Sequence, residues 1–590
     1  MKKLVIATAF LSVCSVTENV SAAMAFNTIL DRLFTITVEQ SPELKSTIGL
    51  FEVQGIREHN ARLDDRSLAA ALKHIHEKKE ILRALEALAP DILTPEQLVS
   101  YETCLWTLRH DIAGEQFLLH QYPVTQIDGI VWSQIFLLTE IHRLQDAVDV
   151  EHYIARLDAI AHQVYQVIDY LKKQQQAGIY PPRFVVEKVV QNMARVLPED
   201  PTQHVLYTHL VTNMPASITP ESARVYQEQA QKIIAEKVYP AYQALCEYHE
   251  MLLPHVSNNH GVWALPQGEG YYQYMLEQHT TTNLTAEEIH ALGHAEVARI
   301  RGEIDTILAQ LGTTLEAIKQ DSKFYYPNTD EGRAQCIADY LAMLERSRTH
   351  LGPLFDLKPE AGVTIHRVPE REQAGAPGAY YMPGSLDRTR PGKFFANLRD
   401  MAEVPTYHME TLLIHEAEPG HHFQCSLQNE LDLPLIRKIA GHNAYIEGWA
   451  LYTERLAGEY GFYSSPYMQI GNLLDELMRA VRLVVDTGIH HKRWSHTQAV
   501  EYMEHMTGMH HDSVVTEIER YFVWPGQACS YKIGQLKILA LRERAKKVLG
   551  DRFSLQQFHN VVLGTAAVPL AVLESVVDHW IESLQGAETV

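Results

Sequence analysis

Apolar residues recur at three- and four-residue spacing along most of these 590 residues, which restricts the chain to a mainly α fold. From about Phe26 to Leu252 the pattern predicts helices such as Leu68–Leu88, Val131–Asp146, Glu151–Gln174 and Pro220–His255. Turns at Ala89-Pro90 and Tyr180-Pro181-Pro182 separate them. A loop-like stretch, Gly261–Gly270, precedes a long helix predicted over Thr285–Leu311, with Thr285 as N-cap and Glu288 at the capping-box position. Residues 360–400 read differently, as short strands Val363–Val368, Ala379–Met382 and Phe394–Leu398 among Pro and Gly turns. Helical pattern returns from Thr406 to the end, interrupted at Trp524–Gln527. No internal repeat suggests a solenoid. The chemistry is therefore expected where a small sheet meets the last helices.

One segment there would fail to gather its histidines if it were a regular helix: Thr411-Leu-Leu-Ile-His415-Glu416-Ala417-Glu418-Pro419-Gly420-His421-His422-Phe423-Gln424. It opens like the zinc-protease pattern His-Glu-x-x-His, whose two imidazoles lie about 6 Å apart along one helical face and reach one Zn2+. Here Pro419 stands where the second His belongs, and His421 is about 9 Å along a regular axis and off the face. Proline removes a donor and clashes with the preceding turn, and glycine tolerates unusual dihedrals. A widened or looped-out turn at 417–420 would bring His421 back beside His415. His422 competes with His421 as the second ligand; His421 is preferred.

A third ligand is expected from an acid on the following helix. Ala444-Tyr445-Ile446-Glu447-Gly448-Trp449-Ala450-Leu451-Tyr452 places Glu447 in an apolar, aromatic stretch, where an unpaired carboxylate is costly. Glu454 and Glu459 read as solvated or ion-paired. Two His and one Glu leave a fourth position for water, as catalytic zinc requires. Rival clusters are weaker. His249-Glu250 followed by Pro254-His255 lacks the glycine and a buried acid downstream. His74, His76 and Glu77 lie in a Lys-rich helix. The pairs His490-His491 and His510-His511 read as helix-end residues.

With 73 acidic residues against 51 Lys and Arg, the net charge of −22 argues against nucleic acid as a partner, and no polybasic run suggests an anionic membrane surface. Residues 1–25 read as a signal peptide. Lys2 and Lys3 precede an apolar Leu4–Val16, then small residues at Val20-Ser21-Ala22 and Ala23-Met24-Ala25 suit cleavage. That apolar run is too short for a stable span, so no stable membrane span is expected after its removal. Lipidation at Cys14 is disfavoured by the bulky Val13. The mature protein is expected in the periplasm or outside the cell. Its remaining cysteines, Cys104, Cys246, Cys336, Cys425 and Cys529, show no CxxC spacing and read as buried thiols.

The string His415-Glu-Ala-Glu-Pro-Gly-His-His-Phe-Gln, with Tyr445-Ile-Glu-Gly-Trp-Ala-Leu-Tyr, resembles the bacterial domain-of-unknown-function 885 (DUF885) family, grouped with zincin metallopeptidases. Trp263-Ala-Leu-Pro-Gln-Gly, the segment from Thr280 to Gly293, Asp486-Thr-Gly-Ile-His and Pro525-Gly-Gln-Ala-Cys-Ser-Tyr-Lys-Ile-Gly agree with it. A looser similarity extends to thimet-oligopeptidase-like and angiotensin-converting-enzyme-like peptidases, whose His-Glu-x-Gly-His aligns its Gly-His with Gly420-His421. Their oxyanion-stabilising tyrosine corresponds to Tyr531. These resemblances imply a helical body of two lobes split by a deep cleft, with the small sheet beside the active-site helix. The expected division is an N-terminal lobe over 26–270 and a catalytic region over 271–590, interdigitated in one domain.

The function so implied is zinc-dependent hydrolysis of short peptides. His415, His421 and Glu447 would hold the metal, Glu416 would act as general base, and Tyr531 would stabilise the oxyanion, with His490 a second polar donor. Arg520, Lys532 and Arg542 are candidates to grip a peptide carboxylate, and the strand Phe394–Leu398 to pair with an extended peptide. The alternatives are a catalytically silent peptide-binding protein on the same fold and a zinc hydrolase of another amide or ester.

Overall fold

The capping pair predicted at Thr285 and Glu288 forms in the computed structural model: the Glu288 amide donates to Thr285 Oγ1 (3.3 Å) and the Thr285 amide to Glu288 Oε2 (2.8 Å). The structure describes residues 24–256, 258–370, 373 and 376–586. The apolar segment Leu4–Val16, Cys14 and the cleavage site at Val20-Ser21-Ala22 lie outside the described residues. Helices supply nearly all regular structure, so the chain is mainly α. Eight helices bear on the site: α1 (Ala286–Leu311), α2 (Asp330–His350), α3 (Thr406–Glu416), α4 (His421–Glu430), α5 (Asn443–Glu459), α6 (Pro466–His490), α7 (His511–Val523) and α8 (Ser530–Leu549).

Local chemistry moves two of the predicted boundaries. The helix expected over Val131–Asp146 runs only from Ile130 to Phe136 and then through a widened turn, Leu137–Ile141. Asp146 cannot lie inside it, because its carboxylate caps the next helix by accepting from the Asp149 amide (3.1 Å). The helix expected over Pro220–His255 is widened at Ile234–Val238, just before Pro240, whose missing N–H the altered turn accommodates.

The largest apolar core joins Val164 and Tyr242 to Ile300, Val484 and Phe522, and α6 runs through it with almost every residue from Ile470 to His490 buried. A second core, including Tyr445, Trp449, Ile538 and Phe558, lies between α5, α8 and the C-terminal helices. Helices α5 and α8 cross at two glycines in backbone contact: a Cβ on Gly534 would meet the Ala444 carbonyl oxygen at 1.8 Å, and one on Gly448 the Gly534 carbonyl carbon at 2.4 Å.

The sheet contains β1 (Val363–Arg367), β2 (Ala379–Met382) and β3 (Gly392–Ala396) in the order β1-β3-β2. Phe394 lies opposite Ile365 in the parallel pair and opposite Tyr381 in the antiparallel one. Phe394, Tyr340 of α2, and Met409 and Leu413 of α3 share one core, which seats the sheet against the helix bearing His415. The expectation that the strand at Phe394–Leu398 offers its edge to a peptide is corrected. β3 is central, and neighbours on both sides take up its backbone groups. No helix among the described residues is long and apolar enough to cross a membrane. Cys104, Cys246, Cys336, Cys425 and Cys529 are free thiols.

Candidate metal centre

The proline-glycine pair does not kink a continuous helix; it ends one and starts another. Helix α3 stops at Glu416, residues 417–420 loop out, and α4 begins at His421. The Glu418–Pro419 peptide is cis. The loop folds back so tightly that a Cβ on Gly420 would stand 2.1 Å from the His415 carbonyl oxygen and 2.2 Å from that of Ile414. Three neighbours hold it there. The Trp449 indole N–H donates to the Pro419 carbonyl (2.9 Å), the Ser347 hydroxyl donates to the Glu418 carbonyl (2.7 Å), and Arg348 grips both Glu418 carboxylate oxygens.

The consequence is convergence. The rings of His415 and His421 lie 4.6 Å apart and almost perpendicular, although six residues of regular helix would hold them about 9 Å apart along the axis. Glu447 Oε2, on α5, lies 3.2 Å from His421 Nε2 and 3.6 Å from His415 Nε2. Ligands on a tetrahedral ion at about 2.0–2.2 Å are separated by about that much. Among the described residues this trio is the one group of three or more His, Cys, Asp or Glu whose ligand atoms all lie within 4.8 Å of one another. His415 and His421 are buried, and Glu447 Oε2 is buried with no hydrogen-bond partner. A carboxylate oxygen so placed is costly without a cation, so the donor set fits a metal.

The electrostatics agree. Burial alone would lower the His415 pKa, but Glu447 and Glu454 together raise it to about 10. Burial alone would raise that of Glu447, but His421 and His415 hold it well below the usual carboxylate range.

Over residues 42–577 the chain matches the family described as bacterial protein of unknown function (DUF885). It belongs to the DUF885 family. A solved structure of a candidate lipoprotein from Colwellia psychrerythraea is similar to it at 31% identity and a TM-score of 0.90, covering 96% of this chain and 99% of that one. A second, a candidate lipoprotein of unknown function from Shewanella oneidensis, shares the fold at 18% identity and a TM-score of 0.71, covering 94% and 99%. No curated protein matches the chain.

In this DUF885 member Glu416, the last residue of α3, is 6% exposed and directly follows the first imidazole. Tyr531, in the first turn of α8, lies 6.5 Å from His415, ring to ring and near parallel. Arg520 Nη2 donates to its phenol oxygen (3.2 Å), and the Arg482 guanidinium lies 4.5 Å over its ring. With an acceptor lone pair so occupied, the phenol is poised to donate.

Two expected residues are not brought into this group. His422, the alternative second ligand, donates from Nε2 to the Ala361 carbonyl (3.0 Å) and accepts at Nδ1 from Tyr381 (3.1 Å), tying α4 to the sheet region. His490 accepts the Val262 amide at Nδ1 (3.1 Å) and donates from Nε2 to the Tyr521 carbonyl (2.9 Å), so neither nitrogen is left for a substrate. Lys532 is buried between Glu476 and Glu296, and Arg542 pairs with Glu459. The rival His249 is spent on the Leu245 carbonyl of its own helix.

Sequence reasoning missed Glu454. It is 2% exposed, and its Oε1 accepts from His415 Nδ1 at 2.7 Å, which leaves Nε2 of that ring to face Glu447. The available signal was its spacing, seven residues beyond Glu447 and therefore on the same face of α5. Arg479 stands 3.9 Å behind Glu454 and 3.5 Å from Asp475, which in turn meets His408 (3.0 Å). The first imidazole is thus the end of a charged chain running back toward α3.

Proposed function

We propose that this chain is a zinc-dependent metallopeptidase acting on short peptides. The observation that carries the reading is that the looped turn at 417–420 and helix α5 together bring two imidazoles and a buried carboxylate oxygen to one point. His415, His421 and Glu447 would hold the ion, and Glu454 would orient His415 by fixing its proton at Nδ1. Zinc, when bound, supplies a Lewis acid that polarises a carbonyl and lowers the pKa of water to about 7. Glu416 takes the proton of the attacking water and returns it to the leaving amine nitrogen. Tyr531 donates its phenol proton in a hydrogen bond to the oxygen on which negative charge develops, while Arg520 holds the phenol from behind.

An extracytoplasmic or membrane-anchored location accompanies this reading. It is supported by the apolar N-terminal sequence and by the candidate-lipoprotein description of the Colwellia psychrerythraea relative.

The test is a mixed pool of short peptides with the zinc-loaded protein, beside Glu416→Gln and a metal analysis of both. The expected result is the same zinc content in both, at least about one per chain, with cleavage by the parent and a loss of about 10²–10⁴-fold in the variant. Peptides left intact by the zinc-loaded parent would overturn the assignment. Equal peptide binding by both proteins without turnover would instead identify a binding protein.

A further inference from the structure

A second pair of imidazoles faces each other outside this centre. His290 and His294 lie one turn apart on α1, with their Nε2 atoms 3.2 Å apart and their rings nearly perpendicular. His290 is half-buried and His294 exposed, so the gap between them opens to solvent. The far nitrogen of each ring has a partner. His290 Nδ1 lies 2.8 Å from Thr487 Oγ1, and that hydroxyl is within donating distance of the Leu483 carbonyl (2.6 Å) and the Val484 carbonyl (3.2 Å). A hydroxyl has one proton, so Thr487 accepts from His290, whose proton then sits on Nδ1 and whose Nε2 presents a lone pair. His294 Nδ1 lies 3.3 Å from the Tyr502 phenol, which can accept as well as donate. Trp494 packs against both His290 and Tyr502 and limits their rotation.

This is the arrangement a chelating pair needs. Histidines four apart on a helix can share one ion. For metal–nitrogen bonds of about 2.0–2.1 Å, the observed separation corresponds to an angle of about 100° at the metal, between square and tetrahedral. Each far nitrogen already has the outer partner that fixes a ligating imidazole. Without an ion, the two facing nitrogens can share only one proton. We propose that His290 and His294 form a second metal site, taking a divalent transition ion of the Cu2+, Ni2+ or Zn2+ class through both Nε2 atoms, with water completing the shell. Hard ions such as Mg2+ lack an oxygen set here, because the neighbouring Glu287 is engaged by Lys492 and His491. Cu2+ binds most tightly, by the general order of these ions on nitrogen ligands. The site stands independently of the peptidase reading.

The test uses the full chain without a polyhistidine tag, stripped of metal and titrated with Cu2+ by calorimetry, with electron paramagnetic resonance of the bound ion. His294→Ala and His294→Gln alter an exposed side chain, and other surface histidines contribute equally to parent and variants. The expected result is one fewer Cu2+ bound per chain in both variants, or a loss of about tenfold or more in affinity for that ion. The same difference is expected in a His421→Ala background, which separates this site from the first centre. Cu2+ stoichiometry and affinity unchanged within about twofold in both His294 variants would overturn the proposal.

Discussion

Replacing Gly420 with alanine tests the geometry on which the proposed metal centre depends. The added Cβ would stand 2.1 Å from the His415 carbonyl oxygen and 2.2 Å from that of Ile414, where carbon and oxygen ordinarily approach no closer than about 3.3 Å. Both obstacles are backbone atoms in the last turn of α3, so neither can rotate aside. Relief needs a displacement of about 1 Å, and the next residue in the chain is His421. Ligand distances around zinc tolerate only about 0.2 Å, so the variant should lose at least about a hundredfold in zinc affinity. The steric cost to the fold itself is about 1–3 kcal/mol, which a chain of this size survives. Chelator competition measures the first quantity, and urea unfolding in the presence of EDTA measures the second. Gly302→Ala is the control, since a Cβ there meets nothing within 4 Å. A Gly420→Ala protein that binds zinc with the parent's affinity would refute the claim that the tight return of this loop aligns the two imidazoles.

Glu454→Gln keeps the shape of the side chain but removes the charge that His415 Nδ1 meets at 2.7 Å; zinc affinity should fall about 10–100-fold, read by chelator competition. His422→Ala should retain the zinc of this centre while losing about 1–3 kcal/mol in urea unfolding, because the Ala361 carbonyl and the Tyr381 hydroxyl lose this partner; His421→Ala should bind one zinc fewer than the parent. Burial pushes the carboxyl of Asp486 up to about 7 despite hydrogen bonds from Tyr272 and the Gly526 amide. Its folded pKa lies above the unfolded value, so the folded protein holds the extra proton between about pH 4 and 7 and loses stability as pH rises through that window. Asp486→Asn removes this dependence, and its advantage over the parent in thermal melts should grow from pH 5 to pH 8 toward an upper bound of about 4 kcal/mol.

What could be read without coordinates was local. The Thr285–Glu288 cap depends on residues three apart, and the return of the chain at 417–420 follows from proline and glycine standing where helix would otherwise continue. The choice between His421 and His422 was not legible. Adjacent residues on a helix point about 100° apart, and the groups that occupy His422, Ala361 and Tyr381, lie 61 and 41 residues earlier. His490 gave no signal for the same reason, since its amide partner Val262 is 228 residues away. The strand predicted at Phe394–Leu398 looked free to pair with a peptide because its own residues do not reveal which strands flank it. Glu454 read as solvated or ion-paired and it is ion-paired, but that its partner is His415 could be inferred only from its helical phase with Glu447.

Two close backbone contacts explain how four helices deliver one centre. Gly420 against the His415 carbonyl sets α4 relative to α3, and Gly448 against Gly534 sets α5 relative to α8. Glu447 is the residue before one of these glycines, and Tyr531 lies three residues before its partner, so the acid and the phenol are carried on helices that cannot slide apart without breaking main-chain contact. Trp449, the residue after Gly448, donates to the Pro419 carbonyl and so ties the α5–α8 pair to the loop between α3 and α4. The relative placement of His415, His421, Glu447 and Tyr531 is therefore governed by backbone separations that a single methyl group would widen. Long, flexible side-chain reach is not required, and a proline-interrupted segment can present the same converging ligands as an unbroken His-Glu-x-x-His helix.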